Sequence, residues 1–186
     1  MKRIVTAVCL VLFLTGCAGV DDSLDRAMAL RAKLLASQGV RFDAEITADY
    51  GDSTYTFSMT CSSDNQGNVS FAVVQPESIA GISGTVSAEG GKLTFDDKAL
   101  SFALMADGQV TPVSAPWLLV KTLRSGYLTS CCREGEYLRL AIDDSYAEDA
   151  LHLDIWLGEG DGPVQADILW QGRRLLSVAV KNFTFL

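Results

Sequence analysis

Two hydrophobic periods divide the chain. From residue 23 to about 37, Leu24, Ala27, Met28, Leu34 and Leu35 recur at helical spacing as one broad stripe with Arg31 at its edge. Asp22 or Ser23 stands where a cap belongs, Asp25 lies in the first turn and Gly39 marks the stop. This predicts an amphipathic helix that lays the stripe on a protein core, because its polar face is mixed rather than basic as in a membrane-surface helix. Beyond Gly39 the period falls to two. Phe42, Ala44, Ile46, Ala48 and Tyr50 alternate with Arg41, Asp43, Glu45, Thr47 and Asp49, and after a Gly51-Asp52-Ser53 turn Tyr55, Phe57, Met59 and Cys61 alternate with hydroxyl residues.

Further strands are predicted at 69–75, 82–87, 92–96, 100–104, 137–143, 151–157, 164–171 and 175–185, with a short one around 127–131. Their turns are rich in Gly and Asp, Asp96-Asp97 and Gln171-Gly172 among them. A second, short helix interrupts the run, with Ser114 as its cap, Pro116 in its first turn and Gly126 at its end. Ten strands at about 4.8 Å spacing present roughly 900 Å² per face, whereas a helix about 22 Å long and 10 Å wide covers some 220 Å². Two helices cannot hide that much apolar sheet. The expected fold is therefore α+β: a curved antiparallel sheet of about ten or eleven strands, a half-open barrel, covered by the N-terminal helix and one short inserted helix.

One apolar run precedes this pattern. Lys2 and Arg3 introduce residues 4–14, in which Thr6 is the only polar member, a run too short to span a bilayer permanently. Leu14-Thr15-Gly16-Cys17 follows and looks like a bacterial lipobox. The expected organisation is a lipoprotein signal peptide at 1–16, a diacylglycerol-bearing Cys17 with a short tether at 17–22, and a single domain at 23–186. Two acyl chains, at about 0.8 kcal/mol per CH₂, anchor a protein where one holds it only marginally. Five extended residues reach at most about 17 Å, so the domain is expected to lie close to the extracytoplasmic face of the membrane.

Charge and composition narrow the class further. The chain has 186 residues, 48% of them hydrophobic, which excludes disorder and supports one core. Its formal charge of −8 becomes −10 without the two cations Lys2 and Arg3. That balance excludes nucleic acid as a partner and means that lipid, not charge, would hold the protein to a membrane.

The end of the chain carries a resemblance. Leu153-Asp154-Ile155-Trp156-Leu157, a Gly/Asp turn, Pro163-Val164, Ile168-Leu169-Trp170 and a closing Asn182-Phe183-Thr184-Phe185, together with the lipobox and Pro76 before Ile82-Ser83-Gly84, resemble the LolA-like superfamily, the outer-membrane lipoprotein carriers and their lipoprotein relatives in Gram-positive bacteria. The resemblance implies an apolar cavity under the helices, used for acyl chains, glycolipids or a protein partner, with no catalytic residue. The carriers are soluble, so a lipobox points to a fixed receptor, transfer station or scaffold.

Catalytic chemistry is sparse. His152, the only histidine, alternates with Leu151 and Leu153 and is expected on the wet face of its strand. No Gly-x-Ser-x-Gly elbow is present, Gly90-Gly91-Lys92 lacks the Walker spacing, and the Gly158-Glu159-Gly160-Asp161-Gly162 run reads as a turn between strands. Asp143, Asp144, Glu148 and Asp149 crowd one loop in a spacing that matches no calcium loop. Cys61, Cys131 and Cys132 remain after export, with a buried Cys61 thiol or a bridge from Cys61 to either neighbour both open. No cofactor or metal is implied.

The expected function is a non-catalytic, membrane-anchored module that binds a lipid or other hydrophobic ligand. Phe42, Ile46, Tyr55, Phe57, Met59 and Phe71 are the candidates for the sheet wall of the cavity, and Leu34, Leu35, Trp117 and Leu118 for its helical cover. The alternative is a protein-binding scaffold or regulator for a cell-wall or sporulation/germination enzyme.

Overall fold

The computed structural model describes residues 22–106, 109–160 and 162–186; the leader, Cys17 and residues 18–21 of the tether lie outside them. Helix α1 spans Ser23–Ala36. Six strands follow, β1 (Val40–Asp49), β2 (Thr54–Ser63), β3 (Val69–Gln75), β4 (Ser83–Ser87), β5 (Gly90–Phe95) and β6 (Lys98–Phe102). A small ribbon of β7 (Met105–Ala106) and β8 (Gln109–Val110) leads into helix α2 (Ala115–Ser125). Strands β9 (Tyr127–Glu134), β10 (Tyr137–Asp143), β11 (Leu151–Leu157), β12 (Pro163–Trp170) and β13 (Arg173–Phe185) complete the chain.

Eleven strands form one open, curved antiparallel sheet in the order β6-β5-β4-β3-β2-β1-β13-β12-β11-β10-β9. Each half is a meander, and the two halves meet where β1 pairs with β13. The α+β half-open barrel expected from area is therefore present. Alternation decides which face is covered: Val40, Phe42, Ala44, Ile46 and Ala48 are buried, while Arg41, Glu45 and Asp49 face solvent. Asp96-Asp97 and Gln171-Gly172 hold positive φ at both positions, the type I′ geometry whose twist matches a two-residue hairpin. The strand expected at 127–131 runs on to Glu134 as the edge strand β9, held by its pairing with β10.

Asn182 takes φ 54° at a register shift in the β1–β13 seam, and its side chain donates to Asp43 Oδ2 at 2.7 Å. The extra residue shifts the alternation, so Phe183 and Phe185 turn to the same face as Val178 and Val180 and pack against the core. The Phe42 and Phe183 rings stack there at 5.7 Å between centroids.

Two details of the helices differ from expectation. Neither Asp22 nor Ser114 makes a side-chain cap bond. Asp22 instead accepts from Arg133 at 2.8 Å, and Ser114 donates back to the Thr111 carbonyl at 2.6 Å. The roll of α1 also differs. Ser23, Ala27, Leu30 and Leu34 are buried, whereas Leu24, Met28 and Leu35 are 54%, 49% and 56% exposed. Polar fastenings fix this roll, because Arg26 and Arg31 on the two flanks of the helix each reach fixed backbone carbonyls.

Candidate functional site

The layer between sheet and helices gathers most of the residues expected to line a cavity. Phe42 and Ile46 of β1, Phe57 and Met59 of β2 and Phe71 of β3 meet Leu34 of α1 and Trp117 and Leu118 of α2 within one continuous core, all buried. Two candidates stand elsewhere. Tyr55 shares the covered face with Phe57 but sits past the helices, 58% exposed, with its ring 5.9 Å from Tyr50. Leu35 lies on the outer side of α1 because the helix is rolled as described.

Between α1 and the end of β11 a notch of about 120 Å³ is lined by Arg26, Ala29, Leu30, Lys33, Leu157 and Gly160. Small-molecule sites span roughly 300–1,000 Å³, so this notch is too small for a ligand of lipid size while α1 stays in place. Two larger grooves are open and lined by both polar and apolar groups. One of about 790 Å³ runs from Ser62 and Asp64 to Ser87 and Glu89, and one of about 420 Å³ lies among Asp43, Glu45, Ser58, Gln75 and Lys181.

What holds α1 in place is therefore the central question at this site. Its buried contribution is small, and arginines secure its rim. Arg26 donates to the Gly158 carbonyl and, at 3.4 Å, to that of Gly160 in the β11–β12 turn. Arg31 donates through Nε to the Leu123 carbonyl at 2.9 Å and through Nη2 to that of Gly126 at 2.9 Å. Those carbonyls belong to the last turn of α2 and its cap, where a cation satisfies orphan acceptors and meets the negative end of the helix dipole. Burial pulls the Arg31 guanidinium below its ordinary range. Arg124 of α2 reciprocates, donating to the Leu34 carbonyl in the last turn of α1 at 2.9 Å. Each helix thus caps the other. The sequence signal for this clamp was Arg31 at the stripe's edge; its acceptor on α2 has no local signature.

The polar candidates settle into structural roles. His152 Nδ1 lies 2.7 Å from Asp143 Oδ1 and Nε2 lies 3.4 Å from Asp154 Oδ1, so both ring nitrogens face carboxylates and neither faces a hydroxyl. The ring is about one-third exposed, pinned between two strands rather than freely solvated. Asp154 also accepts a forked pair from Arg139 at 3.1 and 2.8 Å, and its strand neighbour Asp167 accepts from Ser177 and Arg174. Such compensation is needed where two carboxylates sit opposite each other across strands. In the acidic loop, Asp144 bonds Lys121 Nζ at 3.0 Å and the Leu151 N–H at 2.9 Å. Among the described residues no group of three His, Cys, Asp or Glu is placed to hold a metal ion. Cys61, Cys131 and Cys132 are all free thiols, and burial pushes the Cys61 thiol far up, with Asp43 adding to the effect.

The architecture defines a class: an open antiparallel half-barrel closed by two helices over an apolar layer. Comparison with known proteins finds no family model and no curated protein that matches the chain. Among solved structures it is similar to a LolA superfamily protein from Nitrosomonas europaea, with 10% identity, a TM-score of 0.48 and coverage of 86% of this chain and 93% of that one. A putative outer membrane lipoprotein-sorting protein domain from Vibrio parahaemolyticus is similar at 10% identity and a TM-score of 0.48, over 89% and 92% of the two chains. The lipoprotein LppX of Mycobacterium tuberculosis is similar at 10% identity and a TM-score of 0.41, over 88% and 96%.

Proposed function

We propose that the protein is a non-catalytic binding module for a lipid or other hydrophobic ligand, anchored through a diacylglycerol on Cys17 at the extracytoplasmic face of a membrane. The observation that carries this reading is the roof of the apolar layer. Helix α1 covers the layer yet buries only Ser23, Ala27, Leu30 and Leu34, and arginine–carbonyl bonds hold its rim. Lifting the helix gives up only those four buried side chains and these bonds, and it uncovers the wall formed by Phe42, Ile46, Phe57, Met59 and Phe71. The leader and Leu14-Thr15-Gly16-Cys17 supply the anchor, and the closing Asn182-Phe183-Thr184-Phe185 supports a place beside the LolA-like lipoproteins of Gram-positive type.

The test is to purify residues 18–186, extract them with organic solvent and analyse the extract by mass spectrometry. A lipid near one per protein is expected, and Arg26→Ala and Arg31→Ala should each speed its exchange. A clean extract together with no uptake of added lipid would sink the reading. The β5–β6 hairpin favours a second reading, a protein-binding scaffold, because Phe95 and Leu100 are 47% and 65% exposed on it. One stoichiometric partner in a pull-down from solubilised membranes, lost on Leu100→Glu, would support that reading.

A further inference from the structure

The outer side of α1 presents Leu24, Met28 and Leu35 to solvent, with Ala29, Ala32 and Ala36 beside them. At a rise of about 1.5 Å per residue the stripe from Leu24 to Leu35 is roughly 16 Å long. Asp25 and Lys33 are the exposed charges of the helix beside these positions. The helix cannot hide the stripe by rolling, because a roll would expose Leu30 and Leu34 and break the bonds of Arg26 and Arg31. Among the described residues nothing covers this outward apolar face.

The chain before the helix says what that occupant is. Only residues 18–22 separate Cys17 from α1, a reach of at most about 17 Å. If Cys17 carries acyl chains, the first turn of α1 is held within that distance of the bilayer surface. The geometry points to the bilayer itself as the surface that covers Leu24, Met28 and Leu35, with α1 lying flat between the membrane and the sheet. This inference rests on the lipidation of Cys17 proposed above. Three half-exposed side chains would not bring a free protein of this negative charge to a membrane. On a tethered one the short linker sets a high local concentration, and a weak contact is enough to fix orientation.

The test uses the full chain, expressed with its leader and reconstituted into vesicles of equal phosphatidylethanolamine and phosphatidylglycerol. Exposed Ala32 is replaced by Cys in a Cys131→Ser, Cys132→Ser background and labelled with an environment-sensitive fluorophore, with Glu45→Cys on the opposite sheet face as the control. The expected result is blue-shifted emission at residue 32 that doxyl-labelled lipid quenches by about half, with no quenching at residue 45. Leu24→Glu with Met28→Glu should abolish the quenching while the protein stays vesicle-bound through its acyl chains. Mass spectrometry of the N-terminal peptide separates the two readings. A lipidated Cys17 with an unquenched probe overturns this inference alone, and an unmodified Cys17 overturns it together with the anchor. A blue shift without lipid quenching that grows with protein-to-lipid ratio assigns the stripe to a second copy and also overturns it.

Discussion

Single residues carry some of the most local constraints. Asn182 is the clearest, since its left-handed backbone lets Phe183 and Phe185 share the inner face. Replacing it with Ala should cost about 1 kcal/mol in denaturant unfolding, whereas Gly should cost less despite losing the bond to Asp43. Asp64 organises the β2–β3 loop. Slight burial opposes its ionisation, but bonds from the Asn68 side chain and from the Asn68, Gln66 and Gly67 amides outweigh this and hold the carboxyl below its ordinary value. A depressed carboxylate stabilises the fold above its unfolded pKa and loses that contribution as pH falls through its folded value. The amides of Gln66 and Asn68 should therefore lose hydrogen-exchange protection below about pH 4, and Asp64→Asn should lack that dependence. Among the thiols, exposed Cys132 should alkylate in the native protein, while Cys61 should react only on unfolding.

Helices and strands were unequally legible in the sequence. Strand positions could be read because a half-buried sheet repeats every two residues, and the spans 69–75, 137–143 and 151–157 match β3, β10 and β11. The roll of α1 could not. Its apolar residues surround most of the helix, so periodicity allowed Leu24 and Met28 to be placed inward with Ala27 and Leu34. The choice is made by Arg26 and Arg31, whose acceptors lie far along the chain in the β11–β12 turn and α2. For the same reason the pattern puts Tyr55 on the cavity wall: alternation gives a residue's face but not where the covering helix ends. The mutual cap is testable as a pair. Arg31→Ala and Arg124→Ala should each destabilise by about 1–3 kcal/mol, and a double-mutant cycle should show coupling because both bonds join the same two helix ends.

For the molecule as a whole, the decisive feature is the seam between β1 and β13. Phe42 lies on it, fully buried, and Phe42→Ala should cost about 3–5 kcal/mol and lower the midpoint of a single cooperative transition. A chain stopped at Gly172 leaves β1 and β12 with unpaired inner edges, and it should show no cooperative unfolding by circular dichroism. The seam also has a consequence in time. Strand β1 pairs with β2 at once but gains its other neighbour only with β13, and the Leu186 N–H closes the sheet by donating to the Gly39 carbonyl at 3.0 Å. A polypeptide so arranged completes its core only once residues 40–185 are all available, because its central pairing joins the two ends of that span. If the leader exports the chain as proposed above, that late closure acts as a built-in delay in which the domain stays open for translocation.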